Sequence, residues 1–475
     1  MIEPVSVAAI DLGATSGRVV RGSVGRDTLV IRDVARFPNG AAFDGAGALR
    51  WNVSGLFDAT VDGLRTAFRE DCAIRSVAID SWAVDYALLR NGQLLDEPFS
   101  YRDARTARGV DLVHAIHDHS TLYARNGLQF LPFNTVYQLA CDRADGRLRS
   151  ADRALLIPDL LAYWLTGREF SERTNASTTG LLDARTTPAD WDRDLIADLG
   201  IPAALLAPII EPGTVIGEVV PDVARMIGGS PQVVAVGSHD TASAVVGVPA
   251  ETSNFAYISS GTWSLIGVEL DEPLLHVDNA ASGFTNEAGV DGTVRYLHNV
   301  MGLWLISESM RTWSEQGTDL DLAQLLTAAA EIGDAVAVFD PDDERLLPPG
   351  DMPSRIAEIL VERGQRVPAT PAQLVRCILE SLAATYAKTL RQLVELTGKR
   401  IEVVHVVGGG SLNELLCQLT ADRTGLPVLA GPVEATAMGN LLVQARTLGA
   451  TGARLADLRA LVARTHPPKR YTPRS

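Results

Sequence analysis

The chain has 475 residues, 46% hydrophobic and 6% aromatic, with a formal charge of −16; that is long enough for two domains with separate cores. The excess of acid excludes a nucleic-acid backbone or an anionic membrane as partner, since both require clustered Lys and Arg. No run approaches the ~18 apolar residues of a membrane helix and no basic, apolar leader opens the chain, so a cytoplasmic protein is expected.

Lysine occurs only at Lys388, Lys399 and Lys469. A P-loop or a protein-kinase lysine on an early strand therefore has no residue to supply it. Cys72, Cys141, Cys377 and Cys417 lie far apart without C-x-x-C spacing, and are expected to be reduced and mostly buried.

In chain order, "AIDLGATSGRVVRGSV" (9–24) reads as a strand, a small-residue turn over 13–17 and a second strand. Its backbone N–H groups are expected to converge on an anion such as phosphate, although an ordinary hairpin with Asp11 starting the turn has the same pattern. The chain returns to strand rather than opening a helix, which excludes the dinucleotide-binding turn. "SVAIDSWAVDYALL" (76–89) and "LLIPDLLAYWLTG" (155–167) each read as strand, loop and helix.

"YRDART" (101–106) reads as a polar turn, and "NGLQFLPFNTVYQL" (126–139) sets Phe130, Phe133 and Asn134 in a loop between helices. Ring faces beside amide and carboxylate groups suit a sugar, and core packing explains some of them. "HAIHDH" (114–119) reads as a solvated helix end before it reads as a metal site.

"VVAVGSHDTASAVVG" (233–247) is a buried strand, a turn at Gly237 and a small-residue helix beginning near Asp240. Asp240 serves there as a helix cap, or as a carboxylate aimed to accept a proton from an attacking hydroxyl, or as both. "VVGVPAETS" (245–253) follows as a hinge, which puts the domain boundary near 246: an N-terminal domain over 1–245 and a C-terminal domain over 246–475.

"FAYISSGTWSLIGVEL" (255–270) repeats the opening design with a turn at Ser260-Gly261-Thr262. Two such hairpins, one opening each half, suggest duplicated α/β domains whose turns face each other across a nucleotide. "VVGGGSLNELL" (406–416) reads as a strand, three glycines, and a helix capped by Ser411 with Glu414 completing a capping box. The glycines suit an adenine or α-phosphate contact. "EATAMGNLLVQARTLG" (434–449) reads as a helix that packs Gly439 closely against a neighbour.

With no lysine at hand, Asp11 at the end of the first strand is expected to hold Mg²⁺ through water, with Asp80 at the end of a parallel strand assisting.

These segments resemble the FGGY carbohydrate kinases over almost the full length. "AIDLGATSGRVV" is similar to the family's first phosphate loop, "SSGTWSLIG" to the second and "VVGGGSLN" to its adenosine motif. "SYRDART", "GLQFLPFNTVYQL", "TNASTTGLLDART", "GSHDTASA" and "HNVMGLWLISE" are more specific, and point to the branch acting on L-rhamnulose. The resemblance implies an α/β fold of two duplicated actin/hexokinase-like (ribonuclease H-like) ATPase domains flanking a nucleotide cleft. It implies ATP contacts at Ala14, Thr15, Ser16, Gly17, Arg18, Thr262 and Gly410, Asp240 as proton acceptor, and sugar contacts at His239, Thr241 and Asn299.

Two positions depart from the pattern. Ala83, with Asp85 two residues on, stands beside the sugar where the family usually has Gly, and Ser307 stands near the nucleotide where it usually has Gln. The expected reaction is ATP-dependent phosphorylation of a ketose primary hydroxyl, L-rhamnulose at O1 ahead of L-fuculose or another ketose, with Mg²⁺ required. A non-catalytic nucleotide-gated binding protein is the alternative of another class. The expected partners are a small ketose and ATP, without nucleic acid or membrane, in a monomer or dimer.

Overall fold

In β1 (Val5–Leu12) successive side chains point to opposite faces and both faces are apolar, with Val5, Val7 and Ala9 on one and Ala8, Ile10 and Leu12 on the other. A strand buried on both sides belongs inside a sheet. β1 pairs antiparallel with β2 (Ser16–Val24), which pairs with β3 (Leu29–Pro38), and runs parallel to β4 (Ile74–Ser81) on its other edge. With β5 (Val215–Glu218) and β6 (Gln232–Val234) they form a six-stranded sheet ordered β5-β6-β4-β1-β2-β3.

Helix α1 (Val53–Glu70), capped by Asn52, covers the Ile10 face with Val53, Leu56, Val61, Leu64 and Phe68, which recur at steps of three to five residues and so share one helical face. The helix Ala435–Thr447 covers the Val7 face with Leu441 and Leu442. It also crosses α2 (Asp240–Val246) at Gly439, where a Cβ would stand 1.8 Å from the Ser243 carbonyl oxygen. The close packing expected at Gly439 is thus present.

This computed structural model describes residues 3–333 and 336–474. The chain passes through two units, neither continuous in sequence. Unit 1 takes the residues up to Gly247, Glu269–Tyr296 and Ala435–Thr465; unit 2 takes Val248–Val268, Leu297–Glu434 and the residues from His466 on. In unit 2, β7 (Phe255–Ser260) and β8 (Trp263–Leu270) form the second expected hairpin. β9 (Val403–Val407), β10 (Val428–Ala430) and β11 (Lys469–Tyr471) extend it in the order β8-β7-β9-β10-β11. The 27-residue helix α3 (Pro371–Thr397) and α4 (Glu414–Thr424) pack together in this unit.

Two local readings need correction. Residues 76–89 hold two strands rather than a strand and a helix, because Tyr86–Arg90 pairs antiparallel with Arg153–Leu156. The helix after the three glycines is capped by Asn413, whose Oδ1 accepts from Leu416 N at 3.0 Å, after a short 3₁₀ turn over Gly409–Leu412. Ser411 donates instead to the Gly408 carbonyl, and Glu414 accepts from Lys469 Nζ at 2.6 Å rather than closing a capping box.

"HAIHDH" joins the helices Thr106–His114 and His119–Asn126, with His114 Nε2 3.0 Å from the Tyr137 hydroxyl and His117 Nε2 2.9 Å from Asp198 Oδ2. Of the cysteines, Cys72 is exposed and the other three are buried, all as free thiols. Among the described residues no helix is long and apolar enough to cross a membrane.

Candidate active site

Asp11 and Asp80 are register partners on the parallel strands β1 and β4, so their carboxylates leave the same face of the sheet. Across the other edge of β1, Asp11 faces Arg18 on β2, and Asp11 Oδ2 accepts from Arg18 Nε at 2.9 Å and from Nη2 at 2.6 Å. Asp80 is fully buried. Its Oδ2 accepts from Asn440 Nδ2 at 2.5 Å, and its Oδ1 has no hydrogen-bond partner. Burial first, then the charge of Asp11, pushes the Asp80 pKa well above the usual carboxylate range.

A buried, unpartnered carboxylate oxygen beside a second carboxylate fits a hard divalent cation, which takes one or two carboxylates and fills its remaining positions with water and phosphate oxygens. Among the described residues, no three His, Cys, Asp or Glu side chains form a metal cage. These two carboxylates match an ion that is shared with its ligand.

The turn between β1 and β2 is tighter than expected. Gly13 donates its N–H to Ser16 O at 2.8 Å, and Asn39 braces the turn through its side chain to Gly13 O and its N–H to Thr15 O. The Gly13 amide is therefore used inside the hairpin and is not part of an anion cradle. Ala14 is partly buried, Thr15 and Ser16 are exposed, and Gly17 is buried.

Residues 237–240 lead from β6 into α2, and a buried carboxylate fixes their path. Glu172 accepts from Ser238 N at 3.0 Å, Ser238 Oγ at 2.7 Å and Thr174 Oγ1 at 2.6 Å. The N-cap of α2 is His239 rather than Asp240, without a side-chain cap bond, and Asp240 occupies the first helical position. Freed from capping, its carboxylate accepts from Thr241 Oγ1 at 3.2 Å and lies 3.4 Å from His239 Nε2, with 33% of its side-chain surface open. Burial raises its pKa; His239 opposes the shift and Asp11 adds to it.

Behind Asp240, His239 is locked from the other side of its ring. Nδ1 lies 3.2 Å from Glu287 Oε2 and 3.1 Å from Arg295 Nη2, and these two pair at 3.0 Å. Arg295 is fully buried and also donates from Nε to Ala288 O. Burial raises the Glu287 pKa, but the Arg295 guanidinium and His239 outweigh it and hold the carboxyl below its usual value. Glu172, Glu287, Arg295 and Asn440 were not among the residues singled out in the sequence.

Past Asp80, Trp82 packs on Trp51 with ring centroids 4.4 Å apart and planes tilted by 40°, and the Tyr101 ring centroid lies 5.3 Å from that of Phe133. Ala83 and Phe133, both partly buried, pack against this core. Asp85 sits beneath, accepting from Trp51 Nε1 at 2.6 Å, Trp82 Nε1 at 3.1 Å, Tyr101 N at 3.1 Å and Gln138 Nε2 at 2.9 Å. Burial raises its pKa to about 6 against the pull of these donors. Its carboxylate thus organises the aromatic wall.

The remaining expected residues belong to unit 2. Thr262 lies in the turn between β7 and β8, where its carbonyl accepts from Gly302 N and Trp304 N. Ser307 is exposed on the helix Trp304–Glu315, and Asn299 is half-buried on the strand Val294–Met301. Gly410 is buried, and a Cβ there would stand 2.0 Å from Ser260 Oγ, so close packing alone demands glycine at this position. Gly409 beside it opens onto free space.

Family profiles agree with this architecture. Residues 6–247 match the N-terminal domain of the FGGY family of carbohydrate kinases and residues 256–448 match its C-terminal domain. Among curated proteins, a rhamnulokinase of Pectobacterium carotovorum is 42% identical over 99% of this chain and 93% of its own length. A rhamnulokinase of Bacteroides thetaiotaomicron is 40% identical over 98% and 95%. Among solved structures, a xylulose kinase of Lactobacillus acidophilus superposes with a TM-score of 0.79 at 17% identity, over 99% of this chain and 94% of that one. A Plasmodium falciparum glycerol kinase with ADP gives 0.78 at 14% identity, with the same coverage, and these two show the fold alone.

Proposed function

The chain belongs to the FGGY family of carbohydrate kinases, and from that premise we propose that it phosphorylates L-rhamnulose at O1 with ATP. The sugar is taken from the similarity to rhamnulokinases over nearly the whole chain. The observation that carries the chemistry is Asp240, a carboxylate released from helix capping, recessed, and still open over a third of its surface.

Asp240 accepts the proton of the sugar's O1 hydroxyl as O1 attacks the γ-phosphorus in line. The new O1–P bond forms while the bond to the β-phosphate oxygen breaks, and ADP leaves. Its raised pKa makes Asp240 a better proton acceptor than an ordinary carboxylate, provided that it is ionised first. His239, Thr241 and Asn299 bind the sugar, with Ala83 and Phe133 forming its wall and Asp85, buried beneath, serving it only by holding that wall in place. Ala14, Thr15, Ser16, Gly17 and Arg18 contact ATP, as do Thr262, Ser307 and Gly410. Asp11 and Asp80 would hold Mg²⁺, Asp11 through water, and the charge supplied there would offset that of the phosphates. The need for ATP puts the reaction in the cytoplasm.

ADP release measured against L-rhamnulose, L-fuculose and D-xylulose tests the proposal. The highest kcat/KM is expected with L-rhamnulose. A better rate with another ketose overturns the sugar assignment, and ATP binding without turnover on any of them favours a nucleotide-gated binding protein.

A further inference from the structure

Between β4 and the strand Tyr86–Arg90 the chain reverses at Val84, whose φ is +66°. The Asp85 N–H donates to the Ala83 carbonyl at 2.9 Å, a bond spanning three residues, so Val84 is the centre of a γ-turn of the rarer, strained hand. A β-branched residue is disfavoured there by its own Cβ and persists only where the surroundings impose it.

The surroundings do so. Thr135 Oγ1 donates to the Val84 carbonyl at 2.6 Å, inside the protein. Gln138 Nε2, one turn along the helix Thr135–Ala144, reaches the same oxygen at 3.4 Å and Asp85 Oδ1 at 2.9 Å. Ile157 N holds the Asp85 carbonyl at 3.2 Å, and the Val84 side chain itself is buried in the core. From Ser76 to Leu89 every residue but one is buried, and the exception is Ala83. The turn therefore presents a single methyl group outward, three residues beyond Asp80.

We propose that Val84 and Thr135 are positioning residues that set the enzyme's choice of ketose. The strained turn fixes how far Ala83 projects toward the sugar, and the Thr135 hydroxyl keeps the turn from relaxing. This rests on reading residue 83 as part of the sugar pocket. Glycine would take this φ without strain but would leave a cavity where the Val84 side chain packs, so the valine anchors the turn in the core while its backbone sets the course of Ala83.

Thr135→Val keeps the side-chain shape and removes the hydroxyl, whereas Thr135→Ser keeps the hydroxyl. Thr135→Val is expected to raise the ketose KM by about tenfold, since a displacement of about 1 Å at a bound substrate costs up to ~10²-fold. It should also alter the kcat/KM ratio of L-rhamnulose to L-fuculose while the ATP KM stays put, and Thr135→Ser should restore wild-type values. Ala83→Gly separates the two layers. If it shifts ketose preference while Thr135→Val only lowers Tm, the clamp is overturned and residue 83 remains in the pocket. If neither touches ketose kinetics, the placement of residue 83 has failed and this inference falls with it. Should Thr135→Val not fold, Thr135→Ala carries the test, because it removes the same hydroxyl without setting a second methyl against the Val84 carbonyl. Discrimination between the two ketoses then narrows, and unchanged discrimination overturns the clamp.

Discussion

Asn440 donates its Nδ2 to Asp80 Oδ2 at 2.5 Å, joining residues that lie 360 positions apart in sequence. Gln444, one helical turn on, donates to Asn440 Oδ1 at 2.6 Å and to Ala8 O at 3.0 Å, and accepts from Ser76 Oγ at 2.7 Å. This polar ladder crosses an otherwise apolar interface between the sheet and the helix Ala435–Thr447. It engages one oxygen of Asp80 and leaves the other without a hydrogen-bond partner. Asn440→Leu removes the donor and leaves the carboxylate unpaired, a loss of roughly 1–3 kcal/mol. Thermal unfolding with and without MgCl₂ checks this: Tm falls, and added Mg²⁺ recovers part of it. An unchanged Tm would mean that Asp80 does not depend on Asn440.

Asp240→Asn separates catalysis from folding, because His239 is the N-cap of α2 and asparagine keeps the size of the side chain at the first helical position. The expected result is a kcat reduced by ~10²–10⁴-fold with ATP and sugar saturating. Tm should change little, and calorimetry should still detect ATP binding. Near-normal kcat would require a different proton acceptor.

Glu287 and Arg295 form a buried pair behind His239, and either one left alone is an uncompensated buried charge. Glu287→Gln and Arg295→Met should each cost about 3–5 kcal/mol. The double variant should lose less than the sum of the two, as measured by urea unfolding. Strict additivity would show that the two charges do not depend on each other.

Asp85 makes stability depend on pH. Its folded pKa, about 6, is raised above the ordinary value of 3.8, so folding favours the protonated form. That contribution is present in full below about pH 4 and is lost as pH rises through about 6, a change of roughly 3 kcal/mol. Asp85→Asn lacks the titration, so the wild type's stability margin over the variant should shrink between pH 4 and pH 7. A margin that stays constant over this range would place the Asp85 pKa near its ordinary value.

Both hairpins were legible because alternation and small-residue turns are local signals, and so was the close approach at Gly439. The Asp11–Arg18 pair was also within reach, since a hairpin centred on Ala14–Thr15 places those residues opposite each other. Glu287, Arg295 and Asn440 carried no such signal. They lie in segments that rejoin unit 1 after passages through unit 2, and nothing local tells an Asn that it will face Asp80. The cap at Ser411 was misread because Ser and Asn cap equally well, and only the intervening 3₁₀ turn chooses Asn413.

The interrupted course of unit 1 also bears on how the protein is made. Its sheet is complete once β6 has left the ribosome, yet the Val5, Val7, Ala9 and Val20 face waits for the helix Ala435–Thr447. At roughly 5–20 residues per second that helix follows the first segment by on the order of 10–40 s. Throughout that interval the nascent chain carries an uncovered apolar sheet face, the kind of surface that chaperones bind and that aggregates when they do not. Translation arrested short of residue 435 therefore yields a product with that face still open and Asp80 still lacking Asn440.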